Sequence, residues 1–124
     1  MMRVYIAGPM SNVVNWNRES FEKTALDIRA EYPDCEIVSP IELHDQDGGL
    51  PSEEERLKDG DKHRRTALLR NIAALMTCTH LVRIDSMIDS LGACAEWMAA
   101  RAVGIKCEDI YYFLHDDHSL CCNK

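Results

Sequence analysis

The feature that most constrains this chain is an alternation. Strand-like and helix-like segments take turns from residue 3 to residue 114. Residues 3–7 read as a buried strand that stops at Gly8-Pro9. Residues 16–31 read as a helix, because Phe21, Ala25, Ile28 and Tyr32 share one face; Asn15 is its expected N-cap and Pro33-Asp34 its end. Residues 35–39 make a second short strand, stopped by Pro40. A helix over about 66–77 carries Leu68, Ile72, Leu75 and Met76 on its apolar face. Residues 80–85 form a third strand, 91–103 an Ala-rich helix ending near Gly104, and 109–114 a fourth strand. Residues 115–124 read as a tail. Between them, residues 41–65 are dominated by charge and broken by Gly48-Gly49 and Gly60. Ser52-Glu53-Glu54-Glu55 has the capping-box pattern, so a short helix is expected inside what is otherwise a surface loop or a lid.

Strands joined through helices must run parallel, and right-handed crossovers then give a doubly wound α/β sheet. The expectation is one flavodoxin- or Rossmann-like domain over residues 1–114, with strand order 2-1-3-4. In that order the chain reverses direction between strands one and three. Ligands bind at such a switch point, beyond the carboxyl ends of those strands. Two segments are nominated on topology alone: residues 8–16 and residues 85–96.

Composition narrows the classes. The 124 residues suit one domain, and 46% apolar residues can supply its core. Against 14 Lys+Arg stand 21 Asp+Glu, a net charge of −7, which argues against a partner of long nucleic acid. No apolar run approaches the ~20 residues that span a bilayer, so no membrane association is expected. The first strand begins at residue 3 with no signal-like segment before it, so a cytoplasmic location is expected. The six cysteines need not be a disulfide framework: Cys35, Cys78 and Cys94 lie in or beside apolar periodic segments, where a reduced thiol is a small hydrophobe.

Of the nominated segments, the first reads Tyr5-Ile6-Ala7-Gly8-Pro9-Met10. Gly8 would let a ligand approach the backbone, although Gly-Pro alone is usually a turn. It is neither GxGxxG nor a P-loop, so no dinucleotide or triphosphate cofactor is expected. The second reads Ser90-Leu91-Gly92-Ala93-Cys94-Ala95-Glu96. Ser90 is a good N-cap, and the free amides and dipole of that helix start favour an anion. Glu96 lies roughly 9 Å up the helix and leans back over Gly92 and Ala93, two minimal side chains that leave room for a sugar ring. The plain alternative is an exposed Glu and a packing Gly.

Tyr-Ile-Ala-Gly-Pro-Met after strand one, with Ser-Leu-Gly-Ala-Cys-Ala-Glu after strand three, resembles the nucleoside 2-deoxyribosyltransferase superfamily. The Ser-Leu-Gly-x-x-x-Glu pattern is similar to that of its 2'-deoxynucleoside 5'-phosphate N-hydrolases. The resemblance runs from about residue 3 to 114. It implies cleavage of an N-glycosidic bond in a nucleotide or nucleoside, with Glu96 as the nucleophile that attacks C1'. It implies that Ser90 holds a 5'-phosphate and that Tyr5 with Gly8, Pro9 and Met10 faces sugar and base. It implies completion of sites across a homodimer or higher oligomer. A carboxylate nucleophile is also the retaining-glycosidase solution. One departure stands out. The superfamily's Arg-Asp-hydrophobic reads Arg70-Asn71-Ile72 here, and Asn has no titratable proton to give a leaving base. Asn71 would instead orient Glu96 or touch the sugar. The acid would come from Asp85, Asp89, Asp45 or His44, or the chain would bind a nucleotide without turning it over.

The remaining candidates are weaker. Trp16 could stack on a base or pack in the core. Arg64, Arg65 and Arg70 could hold a phosphate or form a solvated helix start. His115, Asp116, Asp117, His118, Cys121 and Cys122 are zinc-type ligands, but their spacing fits no closed zinc site, so no metal is expected. Ala95, Ala99 and Ala102 form a small-residue stripe suited to a second subunit or to the chain's own sheet.

Overall fold

The computed structural model describes residues 1–10, 14–49, 52–84 and 90–115. Four strands form one parallel sheet: β1 (Arg3–Ala7), β2 (Glu36–Val38), β3 (His80–Arg83) and β4 (Lys106–Asp109), in the order β2-β1-β3-β4. The expected order 2-1-3-4 and the doubly wound α/β class are therefore present. Val4 pairs with Ile37 on one side and His80 on the other, and Arg83 pairs with Asp109. The helices are α1 (Arg18–Glu31), α2 (Pro40–Gln46), α3 (Glu53–Leu75), α4 (Leu91–Ala102) and α5 (Ile110–His115).

Alternation along β1 sorts the core into two layers. Val4 and Ile6 pack with Phe21, Ala25 and Ile28 of α1, with Val82, and with Phe113 of α5. Tyr5 and Ala7 pack with Leu75 at the end of α3, with Leu81, and with Ala93 and Ala100 of α4. The short α2 touches both layers, through Ile41 on the first and Leu43 on the second.

Several boundaries differ from those expected. Helix α1 starts at Arg18, after a 3-10 turn over Val14–Asn17, so Asn17 rather than Asn15 holds the N-cap position. Its side chain does not cap the helix but donates to the Pro9 carbonyl at 2.9 Å. Most of residues 41–65 are helical, within α2 and α3. Ser39 caps α2 and Pro40 opens it. Gly48 and Gly49, both at positive φ, turn the chain, and a full capping box between Ser52 and Glu55 starts α3. The charged residues that suggested a loop are good helix formers, and α3 absorbs Gly60 with a kink at Asp59. The fourth strand is Lys106–Asp109, not 109–114. Gly104, at φ 81°, ends the turn after α4, and the chain enters the sheet at once. The aromatic run that looked like a strand becomes α5, which buries Phe113 and leaves Tyr111 and Tyr112 exposed.

No helix among the described residues is long and apolar enough to cross a membrane. Cys35, Cys78, Cys94 and Cys107 are free thiols.

Candidate active site

Three elements converge on one carboxylate. Strand β1 brings Tyr5, fully buried; α3 brings Asn71, 6% exposed; α4 brings Glu96, 4% exposed. The Tyr5 hydroxyl donates to Glu96 Oε2 at 2.8 Å. The Asn71 amide Nδ2 donates to the same oxygen at 3.2 Å. Glu96 Oε1 accepts no hydrogen bond among the described residues. One carboxylate oxygen is thus held by two donors, and the other accepts from none of the described residues.

Burial sets the electrostatics. It pushes the Glu96 carboxyl up from 4.5 to about 7, against the hydrogen bonds from Tyr5 and Asn71 and the positive charge of Arg70. The Tyr5 hydroxyl is pushed well above 10, by burial first and by the Glu96 charge second, so it remains a donor at neutral pH.

Arg70 backs this cluster. Its Nε and Nη2 donate to Asn71 Oδ1 at 3.1 and 2.9 Å. Its Nη1 donates to Asp47 Oδ2 at 3.1 Å and lies 3.4 Å from His44 Nδ1. Arg70 is therefore not a solvated helix start; only 18% of its side chain is exposed. Arg64 and Arg65 are apart from it, exposed, with Arg64 paired to Asp61.

Ser90 caps α4 as expected, its Oγ accepting from Ala93 N at 3.3 Å, which leaves the Leu91 and Gly92 amides outside the helix's own bonding. Gly92 is exposed, and a Cβ there would meet nothing within 4 Å, consistent with open space beside the N-terminal turn. Gly8 is different. A Cβ there would lie 2.4 Å from Ile84 Cγ1, so Gly8 makes room for the chain's own isoleucine. Met10 and Trp16 pack against the α1-side core layer, away from the Tyr5 face. Trp16 and Asn17 hold left-handed φ values of 57° and 63°, tied to the Gly8-Pro9 turn by the Asn17–Pro9 bond. Asp85 and Asp89 lie outside the described residues.

Of the other acid candidates, Asp45 is exposed and pairs with Arg18 at 2.9 and 3.0 Å. His44 is pushed down to about 4, by burial first and the Arg70 charge second, so it is neutral near pH 7 and lacks the acidic proton of an imidazolium. The buried positions of α4 are Ala93, Glu96 and Ala100. Ala95 and Ala99 are half-buried and Ala102 exposed, so of the stripe 95-99-102 only Ala99 packs against the Tyr5-side core layer. No group of three metal-ligating side chains occurs among the described residues; of the tail ligands only His115 is among them.

Three contacts were missed by sequence reasoning. Arg83, at the end of β3, lies 4.6 Å from the Trp97 ring centre and donates to Asp109 at 3.1 Å. Arg70's grip on Asn71 had a readable signal: the Leu68/Ile72/Leu75 period turns residue 71 toward the core, where a buried amide needs partners.

A profile of the family described as domain of unknown function (DUF4406) matches residues 2–109, which includes all four strands and the Tyr5, Asn71 and Glu96 cluster. No curated protein and no solved structure matches the chain.

Proposed function

We propose that this chain, which belongs to the DUF4406 family, cleaves or transfers across the N-glycosidic bond of a 2'-deoxynucleoside 5'-monophosphate or deoxynucleoside, with Glu96 as nucleophile. The observation that carries this is the Glu96 carboxylate. It is buried on the helix that follows β3, with Oε2 gripped by Tyr5 and Asn71 and Oε1 left without a bond among the described residues. The sequence resemblance to nucleoside 2-deoxyribosyltransferases adds the substrate class. In the step proposed, Glu96 Oε1 bonds to C1', the C1'–N bond breaks, and its electron pair leaves with the base, which takes up a proton. Water or a second base then attacks C1' and releases the carboxylate. The capped start of α4, with its Leu91 and Gly92 amides, suits a 5'-phosphate.

Tyr5 and Asn71 hold the nucleophile in this mechanism. The test is a panel of the common deoxynucleosides and their 5'-monophosphates, each incubated with protein while free base is followed by chromatography. Release from monophosphates that falls at least ~1,000-fold in Glu96→Gln is the expected result. Undiminished release in that variant would end the proposal.

A second reading is favoured by Asn71 itself. With no titratable acid at that position and a neutral His44, the pocket would bind a nucleotide and turn it over slowly or not at all. Asn71→Asp discriminates. The new carboxyl would sit beside Glu96 Oε2 and share a proton with it. A sharp rise in base release supports the missing-acid explanation, and no change leaves the binding module without support.

A further inference from the structure

The Asn71 amide could face Glu96 with either end, and only one of them helps a carboxylate. Its oxygen is already taken: two nitrogens of Arg70 donate to Oδ1, at 3.1 and 2.9 Å. A guanidinium has donors only, so a flipped amide would set NH2 against NH2. The flip is closed, and Nδ2 must face Glu96 Oε2, where it lies at 3.2 Å. Arg70 is in turn fixed from α2. Its third nitrogen donates to Asp47 at 3.1 Å and meets the His44 ring at 3.4 Å. All three guanidinium nitrogens are thus engaged, in a side chain only 18% exposed.

We propose that Arg70 is the positioning residue of this site: by locking the Asn71 amide it fixes the second donor on Glu96 Oε2 and keeps that carboxylate available as an anion. Arg70 acts through Asn71 and touches no reacting atom. Its consequence for catalysis rests on the reading of Glu96 as nucleophile. The groups that face Glu96 are Tyr5 from β1 and Asn71 with the Arg70 charge from α3. Those that face Arg70 are His44 and Asp47, from α2 and the turn after it. Removing Arg70 therefore withdraws a nearby positive charge and frees the amide to turn its oxygen toward Glu96. Both changes favour the protonated acid.

The test is a 13C NMR titration of the Glu96 side-chain carboxyl in the ligand-free full chain, assigned with Glu96→Gln and compared with Arg70→Met and Arg70→Lys. The Asn71 side-chain amide signals are followed in the same samples. In Arg70→Met the Glu96 midpoint should rise by about one pH unit or more, and the Asn71 amide should lose its response to that titration. Lys keeps a charge but not the fork, so Arg70→Lys should show a smaller rise and the same loss of amide response. If Arg70→Met does not fold, the Lys variant carries the test. An unmoved midpoint and an intact amide response in a folded variant would reduce Arg70 to a tie between α2 and α3. A raised midpoint with an intact amide response would assign a bare charge effect. Either result overturns the proposal. No substrate enters the titration. Failure of the glycosidase reading would instead appear as silence, or as undiminished Glu96→Gln turnover, in the base-release panel.

Discussion

Val4 and Ile6 point to one side of β1, Tyr5 and Ala7 to the other, and the two sides are built for different ends. On the α1/α5 side, Phe21, Ile28, Ile41, Val82 and Phe113 are each at most 2% exposed and form an apolar cluster; the buried Glu108 sits out on the edge strand β4. On the α3/α4 side, the layer of Leu75, Leu81, Ala93 and Ala100 encloses a tyrosine hydroxyl, an amide and a carboxylate bonded to one another. Burying such groups costs stability unless they are paired, and here an apolar trio would pack without that cost. A polar cluster kept at the switch point of a parallel sheet marks the candidate functional face. The other face holds the sheet together.

The largest stability effect should come from the packing face. Phe113→Ala should lower unfolding free energy by ~3–5 kcal/mol and leave the Glu96 titration where it was, read by denaturant unfolding and NMR on one sample. A Glu96 midpoint that moved with Phe113 would break the division between the faces.

The next effect belongs to pH and to the polar face. Glu96 titrates near 7 folded against 4.5 as its ordinary value. The native state therefore binds the proton more tightly, and its contribution is present in full below pH 4.5. That contribution is lost as pH rises through about 7, and its size is on the order of 3 kcal/mol. Glu96→Gln, which cannot ionise, should remove this part of the pH dependence and so gain stability relative to wild type between pH 5 and 8. Parallel curves for the two proteins would mean that Glu96 is not desolvated in solution. Activity should run the opposite way. Under the proposed mechanism the ionised form reacts, so kcat/KM should fall as pH drops below about 7.

The smallest effect separates the two donors. Tyr5→Phe removes one hydrogen bond to Oε2 and keeps the ring, so it should cost about 1 kcal/mol of stability. Because that bond favours the anion, its loss should move the acid limb of kcat/KM to higher pH. An unmoved limb would leave Asn71 as the donor that matters.

How far these faces could be read beforehand depended on what kind of signal each residue carried. The alternation of segments fixed parallel crossovers and hence the strand order, because handedness leaves few alternatives. Ser90 and Glu96 were legible as a cap and a carboxylate one and a half turns on. The sequence resemblance linked them to Tyr5 and Asn71, pairings that no local period contains. Residues 41–65 were misread because a helix rich in Glu, Lys and Arg looks like a loop when composition is weighed over propensity. Ser39-Pro40 and the Ser52 box were the better guides. The fourth strand slipped because Lys106-Cys107-Glu108-Asp109 is a charged edge strand, while the apolar run that follows packs as a helix. The steric role of Gly8 was not legible: its partner is Ile84, 76 residues away in sequence, and no motif records a long-range clash. The tie of Arg70 to His44 and Asp47 was invisible for a similar reason, since those two arrive from α2 and the turn after it.

The most direct test of the Glu96 nucleophile is to catch the covalent intermediate. Wild-type protein turning over a deoxynucleoside 5'-monophosphate would be quenched in acid, digested, and the peptide carrying Glu96 weighed. The expected result is that peptide gaining the mass of one deoxyribosyl 5-phosphate group, with no gain in Glu96→Gln. Base release with the Glu96 peptide unmodified, or with the sugar on another residue, would contradict it.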